Sequence, residues 1–202
     1  MDATLPGLAI GVALGAIPFA WLLHRLISGR DLRAEGSGNP GATNLSRAYG
    51  LAWGLIAALL DAGKGAAAVL AASRLIGAGA ILPAAAGAVL GHMFTPWLSG
   101  RGGKGVATAA GAFAVVAPKA TLAAFAVFAA VLGATRIVSV ASVAAAAALP
   151  MAMALVGPRG RTCTAAAAIA LLIAWRHRAN FERMRAGTEP KLGGGAPSTR
   201  GG

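Results

Sequence analysis

The chain has 202 residues, 57% of them hydrophobic and only 12% charged, with a formal net charge of +12. Soluble domains carry roughly a quarter charged residues, so this composition excludes that class and describes a chain dissolved in lipid. The single cysteine, Cys163, excludes an internal disulfide and a thiolate metal site, and the three histidines lack ligand spacing, so neither a metal nor an organic cofactor is expected.

Seven apolar stretches follow one another: residues 5–27, 51–73, 76–98, 104–118, 120–135, 137–156 and 162–176. The longer ones run for about 20 residues, the length that crosses a hydrocarbon core as a helix. The first resembles a signal peptide only in length. Its cations, Arg25, Arg30 and Arg33, follow the apolar run instead of preceding it, so it is read as a retained span. The fourth and fifth are short, which suits tilted, broken or re-entrant segments, and the glycine-rich start of the fourth favours irregular backbone around a cavity.

Charge placement orients these stretches. With the N-terminus outside, thirteen Lys and Arg residues fall on inside segments and four outside, Lys64 being left within a span. The positive-inside rule then gives an all-α integral membrane protein of about seven transmembrane helices, N-terminus outside and C-terminus cytoplasmic. Residues 1–192 are expected to form a single membrane-embedded domain. Residues 193–202, rich in Gly, Pro, Ser and Thr, are expected to form a disordered tail. The basic excess reads as anchors facing anionic membrane lipid; nothing resembles a nucleic-acid-binding motif, and no obligate protein partner is evident.

Four polar segments, Gly36 to Gly50, Gly91 to Thr108, Arg136 to Ser142 and His177 to Lys191, all fall at the cytoplasmic face, which predicts a shared pocket there. The run Ser37-Gly38-Asn39-Pro40-Gly41-Ala42-Thr43-Asn44 has no bulky side chain and can bring backbone N–H groups against an anion, with Arg47 three residues on. Gly102, Gly103 and Lys104 open a helix, a place that favours phosphate. It is no Walker loop, because Gly105 follows Lys104 and Leu98 stands where the leading glycine belongs. Arg136, Ser139 and Ser142 share a face at spacing three, as do His177 and Asn180. Asp61 and Lys64 lie about a turn apart within the second span; a buried ion pair and a direct role both fit.

Taken together, Ser37 to Asn44 with Arg47, Gly91-His92 followed by Gly102-Gly103-Lys104-Gly105-Val106-Ala107-Thr108, Arg136-x-x-Ser139-x-x-Ser142, and His177-Arg178-x-Asn180 through Gly187-x-Glu189 resemble the acyl-phosphate:glycerol-3-phosphate acyltransferase family of PlsY type. Ser99-Gly100-Arg101 departs from the family, where an aromatic and a lysine are usual. The resemblance implies a seven-helix enzyme of the bacterial inner membrane with its site facing the cytoplasm. The implied reaction moves a fatty acyl group from acyl phosphate to the 1-hydroxyl of glycerol 3-phosphate, the first committed step of phospholipid synthesis.

On that resemblance the catalytic set is Lys104, His177, Ser142 and Asn180. The substrate-binding set is Ser37, Gly38, Asn39, Gly41, Ala42, Thr43, Asn44, Arg47, His92, Gly102, Gly103, Arg136, Ser139 and Glu189. The first loop, Ser142 and Asn180 are expected to hold the acyl phosphate, and Arg47 and Lys104 the glycerol 3-phosphate, with His177 and Glu189 orienting it or organising the loops. A soluble-type acyltransferase would carry His-x-x-x-x-Asp, which none of the three histidines does. A phosphate or ion transporter is the rival from another class, although no internal repeat is visible.

Overall fold

A computed structural model describes residues 2–193 and is all-helical there. The expected tail, apart from Gly193, lies outside the described residues. The helices are α1 (Thr4–Gly15), α2 (Phe19–Ser28), α3 (Ala42–Tyr49), α4 (Leu51–Leu75), α5 (Ile81–Met93), α6 (Val106–Val116), α7 (Pro118–Thr135), α8 (Val138–Val156), α9 (Arg161–Arg176) and α10 (Arg178–Arg185), with single 3-10 turns at Leu32–Ala34, Ala78–Ala80 and Pro96–Leu98.

Five stretches among the described residues are long and apolar enough to cross a membrane: Thr4–Ser28, Leu51–Leu75, Ala78–Leu98, Pro118–Thr135 and Val138–Val156. The first of these is broken where Pro18, which has no N–H, interrupts α1 and α2. The remaining two stretches of the sequence reading, 104–118 and 162–176, fold as α6 and α9, of 11 and 16 residues. At 1.5 Å per residue these rise only about 16 and 24 Å. α6 is short because Gly105, at φ +82°, delays its start and the Ala117–Pro118 junction ends it.

The helices are held at close range by small residues. On α1 the buried positions are Gly7, Gly11 and Gly15, one per turn, and they lie against Ala80, Ala84 and Ala88 beside and on α5. In the reverse direction Gly87 and Gly91 of α5 receive the backbone of Leu8 and Val12. α4 meets α6 in the same way, Gly65 against Thr108 and Gly111 against Ala62. In lipid no hydrophobic force draws apolar helices together, so backbone approach of this kind supplies the van der Waals contact that does. Larger side chains, among them Met93, Phe113, Met153 and Ile173, fill the interior between α5, α6, α8 and α9. Leu5, Leu26, Leu75, Leu122, Leu155 and Leu171 are each more than two-thirds exposed, a surface that suits hydrocarbon and not water.

A methyl group on Gly15 would fall inside the contact distance of the Ala88 carbonyl, whereas one on Gly63 of α4 meets nothing within 4 Å. Gly15→Ala is therefore expected to lower the melting temperature in detergent by several degrees, an overpacking cost of about 1–3 kcal/mol. Gly63→Ala should melt with the wild type. Equal melting of all three would remove the glycine seam as the basis of α1–α5 packing.

Candidate active site

The first polar loop is folded from within. Leu32 anchors it, fully buried, and Gly36 and Gly38 turn the chain at φ +55° and +70°. Asn44, buried at the start of α3, accepts the Ser37 N–H at 2.9 Å and donates to the Leu32 and Glu35 carbonyls at 3.1 and 2.9 Å. Its amide is thus committed to shaping the loop. Gly41 caps α3, Ala42 packs against Leu45 and its neighbours, and Thr43 opens the helix half-buried.

The second polar segment descends from α5 as non-helical chain. Ser99 and Gly100 both adopt left-handed backbone, φ 53° and 74°. Gly102 and Gly103 then return their N–H groups to the Met93 and His92 carbonyls at 3.1 and 3.2 Å. Their own carbonyls are gripped by the Arg176 guanidinium, at 2.6 Å to Gly102 and 3.0 Å to Gly103. This brace delivers Lys104, just ahead of α6, into a cavity that Ser37, Asn39 and Asn180 also line.

The cavity is strongly cationic. Arg176, Arg178 and Arg183 line it together with Lys104. The Lys104 ammonium donates to Asn180 Oδ1. Asn180 Nδ2 donates in turn to Glu189 Oε1 at 2.6 Å, the same oxygen that accepts Ser139 Oγ–H at 2.7 Å, and Glu189 Oε2 accepts Arg183 Nε–H at 2.8 Å. One carboxylate therefore joins α8, α10 and the lysine loop. Burial pulls Glu189 upward, but hydrogen bonds from Asn180, Ser139 and Arg183 outweigh it and hold its carboxyl below the usual range.

Burial first, then the positive field of Arg183, lowers Lys104 to about 8, the nearby Glu189 offsetting part of the shift. Arg47 on α3 is likewise lowered by burial, between the opposed fields of Glu189 and Arg183, which places it beside this cluster. His177 is buried, and its Nδ1–H donates to the Ile173 carbonyl at 2.8 Å. The lone pair is therefore on Nε2. Burial and the Lys104 charge push this imidazole down to about 4, so it is neutral at physiological pH.

The structure thus brings together Ser37, Asn39, Gly102, Gly103, Lys104, Ser139, Asn180 and Glu189, with Arg47 and His177 at the edge. Ser142 is buried on α8 one turn beyond Ser139. Three residues expected to bind substrate, His92, Arg136 and Gly38, sit elsewhere. His92 is buried behind Gly103 and is engaged with Lys64 at 2.8 Å. Arg136 is exposed at the left-handed end of α7, where its carbonyl accepts the Leu192 N–H at 2.6 Å. Gly38 lines a separate depression with Arg33 and Arg101, where Arg33 is already paired with Asp31 at 2.7 Å. Arg183 falls within the polar segment His177 to Lys191 expected at the pocket, but neither it nor Arg176 is among the individual residues expected there. Arg183, three residues after Asn180 on α10, shares its helical face, which was the available signal for that residue.

Comparison with known proteins follows the same residues. A family model described as glycerol-3-phosphate acyltransferase matches residues 6–187. A glycerol-3-phosphate acyltransferase of Parasynechococcus marenigrum is 45% identical over 92% of this chain and 88% of its own. Another, from Anaeromyxobacter dehalogenans, is 44% identical over 91% and 94%. A crystal structure of PlsY, an integral membrane glycerol 3-phosphate acyltransferase, in its glycerol 3-phosphate form superposes with TM-score 0.87 at 35% identity, covering 94% of this chain and 96% of that one. The lysophosphatidic acid form superposes at 0.83 and 32% identity, covering 94% and 95%.

Glu189→Gln would keep the side chain's shape while leaving Lys104, Arg47 and Arg183 without their anion and one amide proton facing the donors of Ser139 or Asn180. Lower thermal stability in detergent is expected, with the loss reduced by added phosphate, which restores negative charge to the cavity. Unchanged melting with no phosphate effect would mean that Glu189 does not organise the cluster.

Proposed function

The chain belongs to the glycerol-3-phosphate acyltransferase family, and from that membership we propose that it transfers a fatty acyl group from an acyl phosphate to the 1-hydroxyl of glycerol 3-phosphate, releasing lysophosphatidate and inorganic phosphate. The observation that carries this reading is the cavity around Lys104, where four cationic side chains converge and Glu189 is the opposing carboxylate. Two phosphorylated substrates repel by roughly 3 kcal/mol per pair of unit charges at about 5 Å and an effective dielectric of 20. A site for both needs fixed cations in excess.

In this reading the first loop, with Ser37, Asn39 and Asn180, seats the acyl phosphate, and Ser142 assists from α8. Lys104 and Arg47 hold the glycerol 3-phosphate, with Glu189 and His177 setting their positions. The substrate hydroxyl oxygen attacks the acyl carbon, the carbonyl electrons shift to oxygen, and the tetrahedral centre collapses with loss of phosphate. The surrounding donors stabilise the negative charge that develops on oxygen. The hydroxyl proton passes to the departing phosphate, whose basicity rises as its bond to carbon breaks. His177 suits this route poorly as a base, because an imidazole lowered to about 4 accepts a proton reluctantly.

We place the site at the cytoplasmic face of a bacterial inner membrane, with α6 and α9 completing seven passages and the N-terminus outside. The excess of basic residues on the inside segments supports that orientation. The transporter alternative is weakened because Asp61 and Lys64 face each other at 2.6 Å instead of lining a path.

The test is phosphate release from a long-chain acyl phosphate by the purified protein, with acyl-CoA as a rival donor. Release that requires glycerol 3-phosphate is expected, with lysophosphatidate as product. Lys104→Ala should raise the KM for glycerol 3-phosphate at least about tenfold, the scale of one lost charge-assisted contact. Because Lys104 is charged below about 8 and neutral above it, kcat/KM should fall as pH rises through that value. Lys104→Arg, which keeps its charge, should shed this decline. His177→Asn retains a donor for the Ile173 carbonyl but removes Nε2; most of the turnover should survive. A collapse of kcat in that variant, with melting unchanged, would instead make His177 the base.

A further inference from the structure

We propose that Asp61, Lys64 and His92 form a positioning network inside the membrane span, which seats Gly103 and so sets where the Lys104 ammonium stands in the anion cavity. Asp61 and Lys64 stand about one turn apart on α4, and His92 lies at the end of α5. Their side chains are 4%, 3% and 9% exposed. Two charges held this deep in a bundle face a desolvation cost that only well-directed partners offset.

Lys64 has such partners. It is ion-paired with Asp61 Oδ1 at 2.6 Å and donates to His92 Nδ1 at 2.8 Å and the Ile17 carbonyl at 2.6 Å, while the same Asp61 oxygen stands 3.5 Å from His92 Nδ1. The Ile17 carbonyl is free for this because the chain breaks at Pro18 before α2 begins. An ammonium only donates, so His92 Nδ1 must present its lone pair, and the ring proton is fixed on Nε2. Asp61 thus holds Lys64, and Lys64 holds the imidazole in one tautomer and one orientation.

The far edge of that ring bears on the lysine loop. A Cβ built on Gly103 would fall on His92 Nε2 and Cε1. The same glycine is fixed through its N–H by the His92 carbonyl and through its carbonyl by Arg176. Gly103 is confined on both sides, and its chain neighbour is Lys104. A pair serving only to hold α4 in the bundle would have no use for a third, neutral group aimed at the loop.

The inference rests on the acyl-transfer reading of the cavity, and its test separates the two. Wild type, Gly103→Ala, His92→Asn, the Gly103→Ala/His92→Asn double variant and Asp61→Leu/Lys64→Met would be purified in detergent. KM for glycerol 3-phosphate, kcat and melting temperature would be measured on each. Gly103→Ala should raise KM about tenfold or more, since its methyl collides with the ring. His92→Asn keeps an acceptor for Lys64, so it should melt near wild type while raising KM about fivefold. In the double variant the vacated ring space receives the new methyl, so its KM should lie below that of Gly103→Ala alone. Asp61→Leu/Lys64→Met removes both charges together and should reproduce the His92→Asn effect on KM with kcat changed less than about threefold.

Additive effects of Gly103→Ala and His92→Asn, or a wild-type KM in the charge-free variant, would overturn the network. On the wild type, long-range proton–nitrogen correlations from nitrogen-15-labelled histidine give a readout that needs neither turnover nor a variant that folds. His92 should show a bare Nδ1 and a protonated Nε2; a protonated Nδ1 would overturn the network equally. Absence of any glycerol 3-phosphate turnover in wild type would strike at the acyl-transfer reading and leave the tautomer to decide this one.

Discussion

The arrangement depends on how like charges are kept together in a poorly solvated place. Lys104, Arg176, Arg178 and Arg183 share one cavity, with Arg47 beside it, and without compensation they would spread apart and the lysine would lose its proton more readily. Glu189 opposes both. Its two oxygens gather Ser139, Asn180 and Arg183, and through Asn180 the carboxylate reaches Lys104 without pairing with it directly. Asn180 is therefore the more telling choice. A second carboxylate there would neutralise the lysine, whereas an amide orients it and leaves its charge for a ligand.

The helical frame supplies what these loops need, which is a fixed set of attachment points. Backbone approach at Gly11, Gly15, Gly87 and Gly91 makes α1 and α5 a rigid pair, and α5 is the element from which the Lys104 loop hangs. Arg176, the last residue of α9, completes the suspension by holding the Gly102 and Gly103 carbonyls. A residue that a topological reading counts as a membrane flank is thereby a structural strut. Its guanidinium also lies over the rings of Phe94 and Trp175, at 5.7 and 5.9 Å.

Much of this was legible in the chain. The long apolar runs set the helices, and the runs of small polar residues marked Ser37, Asn39, Gly102, Gly103 and Lys104, because few side chains suit a backbone that must approach an anion. The reasons the rest was not legible are physical. Asn44 sits inside the motif yet turns its amide inward, since three backbone groups of the first loop would otherwise lack partners. His92 reads as a site residue by its place beside the glycines, but the fold puts it one layer behind them. Arg183 joins the cluster through helical phase with Asn180 and Arg176 through its grip on the Gly102 and Gly103 carbonyls, neither of which a charge run viewed along the sequence reveals. The fourth stretch, 104–118, read as short with irregular backbone at its start, folds as an 11-residue helix because the left-handed Gly105 and the Pro118 junction trim it.

The two buried carboxylates show how one chemistry serves two ends. Asp61 and Glu189 each face a lysine at one remove or less, but their surroundings differ in what is left over. Around Asp61 and Lys64 the ammonium is taken up by its ion pair and by His92 Nδ1 and the Ile17 carbonyl, so the pair's net effect is to fix a neighbour. Around Glu189 the cations outnumber the anion, so charge remains for an incoming phosphate. The first lies behind the second, with Gly103 as the contact between them, so that Lys104 faces the cavity from a backbone set against the membrane-buried charges.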